Sequence, residues 1–363
     1  MTLLKHTILV LAAISAFNCS DDDTAGPSVE SSDAETSSAV ETSSAAETSS
    51  AAETSSAAET SSDSKFANAP ATYDFKAVSF SGQKDRLAML GELKSAVEAS
   101  HGDDVAAREV KAADLKAMYA NDGDGAAFTG EGVGASTKDL KGKTFGGLDT
   151  SYYEALFDEI EAASKLGALA TDGTAGLMLR GSKSKYILVD SNGHEYGQTV
   201  EKGLMGAVFY AQALSESGYL RKVPNDDNTT PEEGKEYTTA QHHLDEGFGY
   251  FTNSEKFPEE GKSFWAKYAD KRNSGSLKSS DRILKAFVEA RYVLSNEGFD
   301  AADLTATLAE IDAAWQDLVA GQALYYLNDA KDVTDAGDLC HVLSEAYQFC
   351  LLYTSPSPRD SDS

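Results

Sequence analysis

The residues best suited to chemistry are concentrated in Gln241-His242-His243-Leu244-Asp245-Glu246, followed by Gly247-Phe248-Gly249-Tyr250-Phe251. Imidazole can ligate a metal or carry a proton near neutral pH, and carboxylate can ligate or act as a base. On a helix His243 and Glu246 are three residues apart and His242 and Glu246 four apart, so either pair can share a face. His341 and Glu345 repeat the four-residue spacing towards the far end of the chain. Two such pairs on adjacent antiparallel helices would supply four N and O ligands, as helical bundles do, and would suit iron or zinc. His243, Glu246, His341 and Glu345 are therefore the expected metal ligands, with His242, Glu195 and Arg291 as further ligand-binding candidates. The competing reading of the same residues is a buried polar network that ties helices together. In that reading Glu195 and Gln198 belong to a helix entry, and Arg291, set in an apolar helix, takes an internal carboxylate partner.

Other chemistry is poorly supported. No His-Glu-x-x-His helix is present, so a zinc protease of that type is not indicated. Asn121-Asp122-Gly123-Asp124-Gly125 invites a calcium reading, but an EF-hand loop starting at Asp122 would need Gly and Glu where Ala127 and Val133 stand. No phosphate-cradling glycine loop, dinucleotide fingerprint or activated Ser, Cys or Lys nucleophile is legible.

The elements that must position these residues are helices. Apolar residues recur at helical spacing over Asp85–Glu98 (Leu87, Leu90, Leu93, Val97) and, after a Ser151 cap, at Tyr152, Leu156, Ile160 and Ala163. The same holds for Gln198–Leu214, Asp281–Leu294 and Ala301–Asn328. Gly203 and Gly206 fall inside the Gln198–Leu214 helix, where close approach of a neighbour would offset a cost of about 1 kcal/mol each. One hairpin is expected: Tyr186–Val189, a Ser191-Asn192-Gly193 turn, then His194–Tyr196. The expected fold class is all-α, a helical bundle built as one core or two packed sub-bundles, with one small β-hairpin, on a disordered N-terminal stalk.

The stalk and its anchor are read from the N-terminus. Lys5 and His6 precede an apolar run from Ile8 to Phe17. About ten residues are too few to span a bilayer core, but they have the length and flanks of a secretory signal. The run ends at Cys19, which resembles the lipid-acceptor Cys of bacterial lipoproteins, although Phe17 and Asn18 depart from the small residues usual before it. Residues 1–19 are thus expected to be a lipoprotein signal peptide, with the membrane as partner through the lipid on Cys19. Ser20-Asp21-Asp22-Asp23 resembles the acidic tag that sends some lipoproteins to the outer face of the outer membrane. Over residues 20–64, Glu-Thr-Ser-Ser-Ala-Ala repeats with period six. It offers no side chain able to build a core, so it should remain disordered.

At the other end, Cys350-Leu351-Leu352-Tyr353-Thr354-Ser355-Pro356-Ser357-Pro358-Arg359-Asp360 resembles translated sequencing-adapter read-through. Residues 350–363 are therefore expected to be non-native, and the globular domain to occupy 65–349. Three cysteines then reduce to Cys340 within the domain, which excludes a disulfide framework. A formal charge of −28 argues against nucleic acid as a partner.

Several blocks together resemble domain-of-unknown-function family 4856 of exported bacterial lipoproteins. They are Ser81-Gly82-Gln83-Lys84-Asp85-Arg86-Leu87, Val200-Glu201-Lys202-Gly203-Leu204-Met205-Gly206-Ala207 and His242 to Phe251, joined by Phe264-Trp265-Ala266-Lys267-Tyr268, Ala290-Arg291 and Leu343-Ser344-Glu345. The family usually has Trp where Leu244 stands and Glu where Gln241 stands. His243-Leu244-Asp245-Glu246 also fits the His-x-x-Glu hallmark of imelysin-like proteins, a more distant resemblance that implies a surface role linked to iron acquisition. The expectation drawn from all this is a non-enzymatic, surface-exposed outer-membrane lipoprotein. It would bind a metal or small ligand, beside an outer-membrane transporter for nutrient or iron uptake. The alternatives are a metal-dependent hydrolase with Glu246 as base, and a purely structural surface module.

Overall fold

The computed structural model describes residues 65–354, apart from 105–106, 123–127, 131–132 and 146–149. The expected signal peptide with Cys19, the expected stalk and the tail beyond residue 354 lie outside the described residues, as does most of the Asn121–Gly125 loop.

Among the described residues, nine helices of eight or more residues and one two-stranded sheet make up the fold. Helix α1 (Ser81–Glu98) buries Leu87, Leu90, Leu93 and Val97, the stripe its sequence spacing predicts. Helix α2 (Ala112–Ala120) lies against α1 and against α3 (Thr150–Ser164). In α3 the chain enters the helix at Thr150, before the expected Ser151 cap, and Tyr153 rather than Tyr152 takes the fully buried position.

The hairpin differs from expectation. Strand β2 (Lys185–Val189) is where the sequence places it, but it pairs antiparallel with the upstream β1 (Gly176–Arg180). His194–Tyr196 instead leads into helix α4, leaving a single bridge between Val189 and Glu195. The reason is local. The Asp190 carboxylate accepts the amides of Asn192 and His194, each at 2.8 Å, and this side-chain-closed turn aims the chain at a helix start. The sheet is clasped to the last helix by Asp338, which accepts from Arg180 Nε at 3.0 Å and from the Ser182 amide at 2.8 Å. Burial alone would raise the Asp338 carboxyl. The Ser182 hydroxyl and amide, with Arg180, instead hold it at about 2.

Helix α4 (Tyr196–Leu204) continues through a wider π turn (Met205–Tyr210) into Ala211–Leu214, and all nine residues of its first segment are buried. It sits between α1 and the last helix. At Gly203 a Cβ would lie 2.9 Å from the Tyr153 hydroxyl, a close approach of the expected kind, whereas at Gly206 the neighbour is Leu352, in the segment expected to be read-through. Helix α5 (Thr239–Phe251) opens with a Thr238–Gln241 capping box, which satisfies both backbone donors at its start. It packs on α1 and on α7 (Ser279–Ser295); α6 (Phe264–Lys271) lies against α7 and α8 (Ala301–Asp329), and α8 is flanked by α7 and α9 (Ala336–Thr354). The helices form one unit rather than two sub-bundles. Helix α9 runs on through Cys350 to Thr354, the first residues of the segment expected to be read-through. No helix among the described residues is long and apolar enough to cross a membrane.

Candidate functional site

A helix buried on every side would ordinarily be apolar throughout, yet α4 carries Glu201 and Lys202 into the interior, 7 % and 3 % exposed. Their partners come from the two helices that cover them. Lys202 Nζ lies 2.6 Å from Glu201 Oε2 and 3.3 Å from Glu345 Oε1 on α9. The Tyr268 hydroxyl of α6 also donates to Glu345 Oε1, at 3.2 Å. Glu345 Oε2 is 3.5 Å from His341 Nε2, and His341 Nδ1 is 2.6 Å from Glu195 Oε2. On the other side Lys94 of α1 lies 3.1 Å from Glu201 and 3.7 Å from Glu98.

The ring closes between Glu98 and Glu195. Glu98 ends α1, and a 3-10 turn carries the chain on to His101. Glu195 is the residue before α4, fixed by its amide donating to Ser344 Oγ at 2.7 Å. One ligand atom each from Glu98, His101 and Glu195 lie within 4.8 Å of one another. Gly197 eases the approach, since a Cβ there would sit a tight 3.3 Å from the His101 ring.

The electrostatics of this corner favour a cation. His101 Nε2 is buried with no hydrogen-bond partner. Burial pushes the imidazole below its usual range, outweighing the pull of Glu195 and Glu98, so its nitrogen lone pair is available at neutral pH. Glu195 is 1 % exposed. Burial would raise it, but the hydrogen bond and charge of His341 hold it below its ordinary value and therefore ionised. Gln198, which donates to Glu195 at 3.4 Å, leaves its own carbonyl oxygen buried and unpartnered. Around the whole ring stand four carboxylates (Glu98, Glu195, Glu201, Glu345) and two ammonium groups (Lys94, Lys202). The carboxylates of the ring outnumber its ammonium groups by two.

The expected site residues divide between two places. Glu195, His341 and Glu345 are brought together here. His243, Glu246, His242 and Arg291 are not. His243 Nδ1 lies 2.6 Å from Asp226 Oδ2, His242 Nδ1 lies 3.4 Å from Glu232, and Glu246 accepts from Gln83 at 2.9 Å. Arg291 is 1 % exposed and pairs internally with Asp245 at 2.9 Å. The expected single ligand set of His243, Glu246, His341 and Glu345 is thus corrected. Among the described residues, Glu98, His101 and Glu195 are the group that meets at ligand distance. The cause is packing: α5 lies on α1 and α7, whereas α9 lies on α8, α4 and the hairpin, so the two polar faces look into different interfaces. Glu98 and His101 were missed, although a Glu-x-x-His spacing at the end of the first periodic helix was there to be read.

The family model described as Domain of unknown function (DUF4856) matches residues 70–361. No curated protein and no solved structure matches the chain.

Proposed function

The chain belongs to the DUF4856 family, whose description names no activity, and from its own geometry we propose that the domain binds a divalent transition metal. The carrying observation is the meeting of Glu98, His101 and Glu195 at ligand distance around a buried, unpartnered imidazole nitrogen. One nitrogen and two oxygen donors suit zinc or ferrous iron, and a divalent ion would offset the excess of carboxylates over ammonium groups in the ring. His341 would act on Glu195 from outside the coordination sphere, holding its carboxylate in place as outer-sphere partners do. Glu98, whose side chain is 30 % exposed, is the route by which an ion enters.

The reading extends to the whole protein. An exported chain anchored by lipid on Cys19, with residues 20–64 as a stalk, would hold the domain outside the outer membrane and pass metal to an uptake transporter. Replacing Cys19 by alanine should abolish incorporation of labelled palmitate and release the protein from membranes. Persistence of the label in that variant would refute the anchor.

Metal binding is tested by titrating dialysed protein with zinc and with ferrous iron, reading heat and bound metal. One ion per chain is expected in the wild type. His101→Ala should weaken binding by more than about a hundredfold and His341→Ala by roughly 10–100-fold. Wild-type protein that retains no stoichiometric metal, or His101→Ala that binds as tightly, would sink the proposal.

A further inference from the structure

The metal corner is one donor short. Glu98, His101 and Glu195 supply three ligand atoms, and a tetrahedral ion takes four from a protein when no position is left for water. His341 is committed elsewhere, with Nδ1 on Glu195 and Nε2 towards Glu345. Among the described residues, the Cys340 thiol does not join the group at ligand distance.

Gln198 stands beside them. It is the third residue of α4 and 4 % exposed, and a long side chain there leans back towards the helix start, where Glu195 is. A glutamine at this position can close a capping box, yet no side-chain cap hydrogen bond forms at the start of α4. The amide instead lies 3.4 Å from Glu195 Oε1, and its carbonyl oxygen is buried without a partner. That separation is long for an amide donating to a carboxylate. It matches the edge between two oxygens on one tetrahedral ion, about 3.3–3.6 Å for bonds of about 2.0–2.2 Å. A half-turn of the amide, whose two ends have nearly the same shape, puts oxygen at that place. His101 Nε2 and Gln198 Oε1 are thus two buried acceptors with no donor in the same corner. One cation answers both.

We propose that Gln198 Oε1 is the fourth ligand, filling the coordination sphere with Glu98, His101 and Glu195. This rests on the metal reading above and deepens it. A sphere closed by four side chains keeps no position for a water to be activated, so the site holds an ion rather than using it for hydrolysis.

Cobalt(II) is the probe, because its visible absorption reports coordination number and its titration reports affinity. The intact protein should take up one cobalt with the intense band of a four-coordinate ion, and azide should leave that band unchanged. Gln198→Leu should weaken cobalt by at least about tenfold and make the band shift with azide, which enters the vacated position. Gln198→Glu restores an oxygen donor, so it should recover at least wild-type affinity and lose the azide response. An azide shift in the wild type, or unchanged affinity and spectrum in Gln198→Leu while His101→Ala abolishes binding, would overturn the role of Gln198 alone. A wild type that takes up no cobalt, or uptake untouched by His101→Ala, would bring down the metal reading and this proposal together.

Discussion

Arg291→Ala is expected to destabilise the domain by about 3–5 kcal/mol, read as a loss of urea midpoint by circular dichroism. Arg291 lies inside α7, and its Nε donates to Asp245 Oδ1 at 2.9 Å with both side chains essentially out of solvent. The same carboxylate accepts the Tyr73 hydroxyl at 2.8 Å and the Ser79 amide at 3.0 Å. Arg291 also donates to Ser295 Oγ at 2.6 Å. These bonds join the segment before α1 to α5 and α7, and Tyr73 is stacked on Phe248 with ring centroids 3.9 Å apart. Removing the guanidinium leaves a buried carboxylate without its counter-charge, a penalty far larger than the net worth of the pair. The converse follows: an Arg291→Met, Asp245→Leu double variant should recover much of the loss, because both charges go together. Arg291→Lys should rescue only in part, since an ammonium cannot reproduce the fork that reaches Asp245 and Ser295 at once. A single-variant loss below about 1 kcal/mol would show that water enters this interface.

The second large effect is expected at Lys202. Lys202→Met keeps the length of the side chain and removes its charge, and should cost about 3 kcal/mol, at the lower end of the range for broken buried pairs. The lower end applies because Glu201 keeps Lys94 and Glu345 keeps His341 when the ammonium goes. Burial disfavours the ammonium form of Lys202, but Glu201 and Glu345 outweigh it and hold the group above its usual value. The stabilisation is therefore fully present below the ordinary lysine range and is lost only as the pH rises through the raised folded value. A wild-type minus Lys202→Met difference measured by urea unfolding should be flat across neutral pH. Adding Glu345→Gln to Lys202→Met should cost less than the two single changes summed, because the residues are in contact. Strict additivity would mean that the 3.3 Å contact carries no coupling.

These two networks also show where sequence reading reached and where it stopped. Arg291 announced its need for a carboxylate because an arginine in an apolar helix has no other resting place, and Asp245 answered from α5. The sequence could not say which acid would answer, since several carboxylates lie at suitable spacing. His341 and Glu345 were recognisable as a polar pair by their four-residue spacing, and Glu195 was suspected at a helix entry. Their joining with Glu98 and His101 depends on α4 lying between α1 and α9, which no local pattern records. Glu201 and Lys202, adjacent in sequence, look like ordinary surface residues until both faces of α4 are covered.

What the sequence by itself determined is the helical character of the domain and the stripes that face the core. Helix periodicity is a local property, written within a few turns of chain, and it survives without knowledge of partners. Tertiary structure alone decided which strand pairs with β2, which polar faces meet and which carboxylates surround His101. Those choices compare contacts between segments far apart in sequence, and a buried charge is tolerated only where packing delivers its counter-charge from another helix.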